Sequence, residues 1–238
     1  MRQEGEYARL RVPLYRQTTD FTCGACATLM VWRYFRKVQL SKRNEFLIWT
    51  ETVALPFKFS SPHRIAAFFI KKGFETRLIM EQSRFSVDKT SPECCRVDPT
   101  EKKLFLDFFK AYTGILKRQV ASAILDRKPT LSDVGRALID GSPAILLVDS
   151  YYTLKARGAE DPPHQPHWIV ITGYDDQKFH VNDSIHEPGL KPGKMMLEAN
   201  VLGEAMDTYR RFRWASPLIV AGLKAGESTP RMHPAGLL

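Results

Sequence analysis

The stretch QTTDFTCGACATLM, residues 17–30, marks the point where a polar loop gives way to a helix. From Cys23 onward, apolar side chains recur at the spacing of an α-helix that buries one face. These positions are Ala27, Met30, Val31, Tyr34 and Val38. A cysteine at the start of a helix lies beside unpaired backbone amides and the positive end of the helix dipole, which both favour a thiolate. The stretch therefore predicts a buried helix with a reactive thiol at its N-terminus.

Gln17 and Gly24 flank this cysteine at informative distances. Gln17 lies six residues before Cys23, so its side-chain amide is close enough to form an oxyanion hole together with the Cys23 backbone N–H. Gly24 leaves room for a substrate carbonyl to approach the backbone. This combination of residues is suited to nucleophilic attack by a thiol on a carbonyl group.

A second motif lies in the C-terminal half. HWIVITG, residues 167–173, is an apolar run of buried-strand length, and KFHVND, residues 178–183, alternates like a half-buried strand. The turn-rich residues 174–177 join them into a hairpin. Pairing brings the start of one strand beside the end of the next. Asp183, or Asn182 beside it, is therefore expected to orient the His167 ring, and His167 to act as general base for Cys23.

The two motifs together resemble a known family. QTTDFTCGACATLM followed by PHWIVITGYDD and VNDS is similar to the papain-like cysteine peptidases that process bacteriocin precursors, the double-glycine leader peptidases and their standalone relatives. The matching positions are Gln17, Cys23, His167 and Asp183. The separation of Cys23 from His167 also falls within the roughly 130–150 residues typical of papain-type enzymes. The resemblance implies a papain-like α+β fold, in which the helix of the nucleophile packs on an antiparallel sheet, and a thioester acyl-enzyme.

This sequence departs from the family pattern at two points. Thr22 stands where the leader peptidases usually carry Asp, and no transporter domain is expected to follow. The chain therefore resembles a standalone member, and specificity for double-glycine leaders is not implied.

The cysteines allow other interpretations. CGAC could be a C-x-x-C redox pair, although no clear strand leads into Cys23. It could also match the papain signature, in which Cys26 would be the nucleophile. In that signature an aromatic residue follows the nucleophile, whereas Ala27 follows Cys26 here. Cys94 and Cys95 could join them around zinc, but adjacent cysteines make poor tetrahedral ligands. We therefore expect no metal or cofactor, and interpret all thiols except Cys23 as packing residues.

Composition and charge bound the class of protein. The chain has 238 residues, of which 44% are hydrophobic and 26% charged, which excludes disordered, collagen-like and coiled-coil proteins. Its 35 Lys and Arg against 26 Asp and Glu give a net charge of +9, which favours an anionic partner such as an acidic peptide. The basic and aromatic run WRYFRK, residues 32–37, is not accompanied by a nucleic-acid-binding module, so specific nucleic-acid binding is not expected.

The patterns also predict how the chain is organised. Residues 1–222 are expected to form one papain-like catalytic domain, and residues 223–238, rich in Gly and Pro, a flexible tail. Further helices are predicted at 62–71, at 101–120, and from a cap at Ser132-Asp133 to Gly141; Phe212–Gly222 is predicted as the last strand. No signal peptide and no apolar run of about 20 residues is present, which favours a cytoplasmic protein without a transmembrane segment.

These features predict a cysteine peptidase or amide hydrolase that acts on a peptide or amide substrate. Two alternatives remain open: a thiol-dependent acyltransferase that passes the acyl group to an amine, and a peptide-binding module of the same fold without turnover. Specificity is expected to lie in the loops at 50–61, 82–98 and 151–165. The sequence does not indicate an oligomeric state.

Overall fold

A computed structural model of the chain describes residues 8–54, 57–84, 98, 100–175, 177–185, 189–191, 193–208 and 216–227. Eight strands within these ranges form one sheet, in the order β3–β2–β8–β4–β5–β6–β7, with β1 also paired to β5. They are β1 (Ala8–Arg9), β2 (Glu75–Ile79), β3 (Ile124–Leu125), β4 (Ala144–Asp149), β5 (Pro166–Asp175), β6 (Lys178–Asp183), β7 (Lys194–Glu198) and β8 (Leu218–Gly222). All pairs are antiparallel except β2 with β3.

Seven α-helices in the described ranges cover the two faces of this sheet. They are α1 (Cys23–Phe35), α2 (Lys42–Thr52), α3 (Pro62–Lys71), α4 (Lys102–Gln119), α5 (Leu131–Ile139), α6 (Ser150–Ala156) and α7 (Ala199–Thr208). Apolar residues of α1, α2 and α3 form one core cluster with the sheet, and those of α5 and α7 form a second cluster. The predicted arrangement of a helical part packed on a mostly antiparallel sheet is confirmed.

Strand β4 explains why residues 144–148 are all apolar. Successive side chains of a strand point to opposite faces, and in β4 both faces are covered. Ile145 and Leu147 belong to the cluster on the α1 side, whereas Leu146 and Val148 belong to the cluster on the α5 side. All six residues of β4 are buried, as a strand that is covered on both faces requires.

Helix α1 is the central helix of the domain core. Ten of its thirteen residues are buried, more than the single buried face that its periodicity predicts. The helix packs against β5 and lies beside α2 and α3. Because α1 begins at Cys23, this packing places the thiol at the sheet, close to the strand that carries His167.

The sequence patterns do not predict α2, α6 or α7, and α2 shows why. Its buried residues are Glu45, Ile48 and Thr52. Two of these three side chains are polar, so the apolar spacing that indicates an amphipathic helix is absent. A fully buried carboxylate on a helix can be recognised only through its hydrogen-bond partners.

The predicted cap of α5 at Ser132-Asp133 is wrong. The N-cap is Thr130, whose side-chain oxygen accepts a hydrogen bond from the Asp133 N–H at 3.2 Å, while the Asp133 carboxylate accepts one from the Thr130 N–H at 2.8 Å. This reciprocal pair is a capping box, with Asp133 as its third helical residue. The helix therefore begins at Leu131.

The C-terminal part is described only in sections. The last strand begins at Leu218, while residues 209–215, the start of the predicted strand Phe212–Gly222 among them, lie outside the described residues. Of the predicted tail, residues 223–227 follow β8, and residues 228–238 lie outside the described residues. None of the described helices combines the length and apolar character needed to cross a membrane.

Candidate active site

The Cys23 thiol lies at the N-terminus of α1, where its side chain is 8% exposed. Thr22 is the N-cap, but its side chain does not cap the helix; its hydroxyl instead donates to the Glu45 carboxylate at 2.5 Å. The first amides of the helix are therefore left for other partners. The backbone N–H groups of Trp168 and Gly24 hydrogen-bond to the Cys23 sulfur.

His167 and Asp183 form a buried pair beside this thiol. The His167 Nε2 lies 2.8 Å from Asp183 Oδ1. Asp183 is paired in register with Ile169, and residues two apart on a strand share a face, so its carboxylate reaches the His167 ring. With Nε2 at Asp183, Nδ1 is the nitrogen that remains for the hydrogen bond between the ring and Cys23. The structure thus brings three of the four sequence-predicted site residues into direct contact.

The electrostatics of the three residues favour an ion pair. Burial alone raises the pKa of the Cys23 thiol, but the hydrogen bond and charge of His167, with the two backbone amides, lower it below its ordinary value. Burial alone lowers the pKa of His167, but the charge and hydrogen bond of Asp183, together with Cys23, raise it to about 10. These opposite shifts favour a thiolate facing an imidazolium at neutral pH.

Gln17, the fourth predicted residue, is hydrogen-bonded to Ser184, the residue that follows Asp183. The Gln17 N–H donates to the Ser184 carbonyl at 3.0 Å, and the Ser184 hydroxyl donates to Gln17 Oε1 at 2.8 Å. Because the hydroxyl occupies Oε1, the amide NH2 is the end available to another acceptor. Two consecutive residues at the end of β6 thus hold His167 and Gln17. The sequence motif VNDS contains Ser184, yet its spacing alone does not indicate this contact.

Family membership follows from sequence comparison. A model of the Peptidase_C39 like family matches residues 12–213 of the chain. The chain belongs to this family. The predicted resemblance is confirmed at the level of this family, and the predicted α+β arrangement is that of the structure. No curated protein sequence matches the chain.

Two solved structures are similar to this C39-like chain at low identity. One is a double-glycine-motif protease from an AMS/PCAT transporter in complex with the leader peptide, at 12% identity and a TM-score of 0.44, with 90% of this chain and 95% of that chain covered. The other is a protein from Bacillus anthracis described as a C39-like peptidase, at 12% identity and a TM-score of 0.47, with 91% and 98% covered.

Glu45 is a buried carboxylate of the C39-like chain that sequence reasoning misses. It accepts hydrogen bonds from Tyr15 Oη at 3.0 Å, from the Thr18 N–H and hydroxyl at 2.9 Å each, and from the Thr22 hydroxyl. These donors lie on both sides of Gln17 and immediately before Cys23. Glu45 therefore fixes the whole loop at 15–22 that leads into α1.

Replacing Glu45 with alanine is expected to lower the free energy of unfolding by about 3 kcal/mol, because the substitution leaves several buried donors without an acceptor. Urea unfolding followed by tryptophan fluorescence measures this change. The matched control is Glu51→Ala on the same helix, since Glu51 pairs with the exposed Lys71 and such pairs contribute at most about 1 kcal/mol. Equal losses in the two variants would contradict the role assigned to Glu45.

Cys26, the alternative nucleophile, lies in a different environment. Its side chain is fully buried, and burial above all, followed by the negative charge of Glu45, raises the pKa of the Cys26 thiol. The same helix thus carries one thiol with a lowered pKa and one with a raised pKa. Cys94 and Cys95 lie outside the described residues.

Gly24 has a different function in the structure from the one the sequence suggests. A Cβ atom at this position would lie 2.5 Å from Ser60 Cβ and 2.9 Å from Trp168 Cδ1. The space expected for a substrate carbonyl is therefore occupied by these two side chains. The glycine allows α1 to approach β5 closely, and this approach brings Cys23 to His167.

In the described ranges, no group of three or more His, Cys, Asp or Glu side chains is arranged to hold a metal ion.

Proposed function

We propose that this C39-like chain is a cysteine peptidase that hydrolyses a peptide or amide bond through a thioester acyl-enzyme. The observation that carries the proposal is the continuous contact from Cys23 to His167 to Asp183, with the pKa of the thiol lowered and that of the imidazole raised. Family membership supports the same class of enzyme.

The first half of the reaction forms the thioester. The Cys23 thiolate attacks the substrate carbonyl carbon, and the electron pair of the carbonyl moves to oxygen. The Cys23 N–H and the Gln17 amide NH2 are the donors assigned to that oxyanion. As the tetrahedral intermediate collapses, the C–N bond breaks and the His167 imidazolium gives its proton to the leaving amine.

The second half releases the acid. Neutral His167 accepts a proton from water, which attacks the thioester carbonyl; the C–S bond then breaks and the thiolate leaves. The imidazolium is restored, so the cycle closes without a cofactor. Asp183 keeps the ring oriented with Nδ1 toward sulfur and stabilises the imidazolium, as the third group of a triad does.

Alkylation by iodoacetamide tests the proposal without knowledge of the substrate. The alkylation midpoint, the pH of half-maximal alkylation rate at Cys23 read by mass spectrometry, is expected to lie well below the ordinary thiol pKa of about 8.5. The sign follows from the lowered pKa: the Cys23 thiolate persists to a lower pH than an ordinary thiolate does, and it is lost as the pH falls through that pKa.

Two variants serve as controls for this measurement. Cys26→Ala is expected to keep the rapid labelling, because the raised pKa of Cys26 leaves it as an unreactive thiol at neutral pH. Cys23→Ala is expected to remove it. Rapid labelling of Cys26 in place of Cys23, or a Cys23 midpoint at the ordinary thiol value, would overturn the proposed function.

A further inference from the structure

Arg157 is a buried cation beside the candidate site. It directly follows α6, its side chain is 2% exposed, and its Nη1 lies 3.3 Å from Asp183 Oδ2. The other carboxylate oxygen, Oδ1, contacts His167 Nε2 and accepts a hydrogen bond from the Ile185 N–H, both at 2.8 Å. The Asp183 carboxylate is therefore held between an imidazole on one oxygen and a guanidinium on the other.

The segment between β6 and β7 holds both members of this pair. The Arg157 Nε donates to the Lys191 carbonyl at 3.0 Å, and the Lys191 N–H donates to the Arg157 carbonyl at 3.1 Å. The Asp183 N–H donates to the Gly193 carbonyl at 2.8 Å. A Cβ at position 193 would lie 2.1 Å from the Asp183 carbonyl oxygen, so only glycine allows this approach. The position of the guanidinium relative to Asp183 is thus fixed.

The contact acts through charge rather than through a directional bond. Within the described part of the chain, neither Arg157 Nη1 nor Asp183 Oδ2 has a partner in good hydrogen-bond geometry. A buried ion pair of this kind is costly to desolvate and is often no more stabilising than apolar side chains of similar size. Stability alone is therefore a poor explanation for an arginine at this position.

We propose that Arg157 is a positioning residue that completes a neutral row of four charges and thereby sets the pH range in which the thiolate–imidazolium pair exists. The row consists of the Cys23 thiolate, the His167 imidazolium, the Asp183 carboxylate and the Arg157 guanidinium. This inference rests on the proposed function. Without Arg157, the row carries a net negative charge inside the protein, which favours the uptake of a proton by each member that can bind one.

Other titratable groups lie close to the row and stay unchanged in the test. Cys26 is close enough to Cys23 to interact with it electrostatically, and Glu45 interacts in the same way with Cys26. Asp149 is paired in register with Pro166, the residue before His167, and the Asp149 carboxylate contacts His164. Their influence is therefore the same in the wild-type chain and in every variant below.

The experiment compares Arg157→Met with Arg157→Lys in the full chain, with the alkylation midpoint of Cys23 as readout. Arg157→Met is expected to raise the midpoint by about 1 pH unit, since loss of a nearby positive charge favours the protonated thiol. Arg157→Lys restores the charge and is expected to keep the midpoint near the wild-type value. The matched control is Lys194→Met, which removes an exposed cation from the neighbouring strand β7. This variant is expected to leave the alkylation midpoint of Cys23 unchanged because solvent screens the charge of Lys194.

The outcomes separate this inference from the proposed function. Thermal melting reports whether each variant folds, and Arg157→Gln, which keeps a donor for the Lys191 carbonyl, replaces Arg157→Met if the latter is unfolded. If the wild-type midpoint is low and the uncharged variant has the same midpoint with only a reduced stability, the role of Arg157 is overturned and the proposed function is not. A wild-type midpoint at the ordinary thiol value overturns the proposed function and this inference together.

Discussion

Replacing Cys23 with alanine is expected to reduce peptide-bond cleavage at least about 10⁴-fold, because loss of the nucleophile removes the thioester route and leaves only binding and oxyanion stabilisation. The assay incubates a proteome-derived peptide mixture with the protein and counts new N-termini by mass spectrometry. Cys26→Ala is the matched control; it removes a thiol three residues further along the same helix and is expected to keep most of the activity.

The same assay in H2¹⁸O distinguishes hydrolysis from acyl transfer. Hydrolysis places one ¹⁸O atom in each new carboxylate, whereas an added amine that intercepts the thioester appears as a new amide. Cleavage that Cys23→Ala leaves at the wild-type rate would contradict the assignment of the nucleophile. Labelled carboxylates would favour the peptidase over the acyltransferase.

Replacing His167 with alanine is the second substitution with a large expected effect. Loss of the general acid and base is expected to lower the cleavage rate about 10²–10⁴-fold. The acidity of the thiol changes as well: burial raises the pKa of Cys23, and the hydrogen bond and charge of His167 are the leading causes that lower it. Without the imidazole, burial dominates, and the alkylation midpoint is expected to rise above the ordinary thiol value.

His180→Ala is the matched control for this variant. His180 lies on β6, the same strand as Asp183, and is only partly buried. Its loss is expected to change neither the cleavage rate nor the alkylation midpoint. Equal behaviour of His167→Ala and the wild-type chain in both measurements would contradict the role of His167.

The parts of the site that the sequence predicts are those encoded by local patterns. Cys23 is indicated by a loop that turns into a periodic helix, and the His167–Asp183 contact follows from two strands joined by a short turn. The first feature lies on a single helix, α1, and the second on two adjacent strands, β5 and β6. The geometry of a helix start and of a hairpin is set by neighbouring residues, so it can be inferred without the rest of the fold.

The parts that the sequence does not predict are buried polar groups whose partners are distant in the chain. Glu45 meets its donors 23 to 30 residues before it, and Arg157 meets Asp183 across the segment between β6 and β7. No periodicity marks a charged residue that will be buried, because its burial depends on which elements pack together. Ser184 shows the same limit, since its role depends on the loop that carries Gln17.

The position of β8 in the sheet has a consequence for the newly made protein. Residues 218–222 pair with both β2 and β4, so the two halves of the sheet cannot be joined until these residues have left the ribosome. Such long-range pairing is a slow step in folding. Cys23 leaves the ribosome long before His167 and Asp183, and its acidity depends on them. The growing polypeptide therefore carries an ordinary thiol, and the site proposed above is complete only after residues 167–183 have followed Cys23 out of the ribosome.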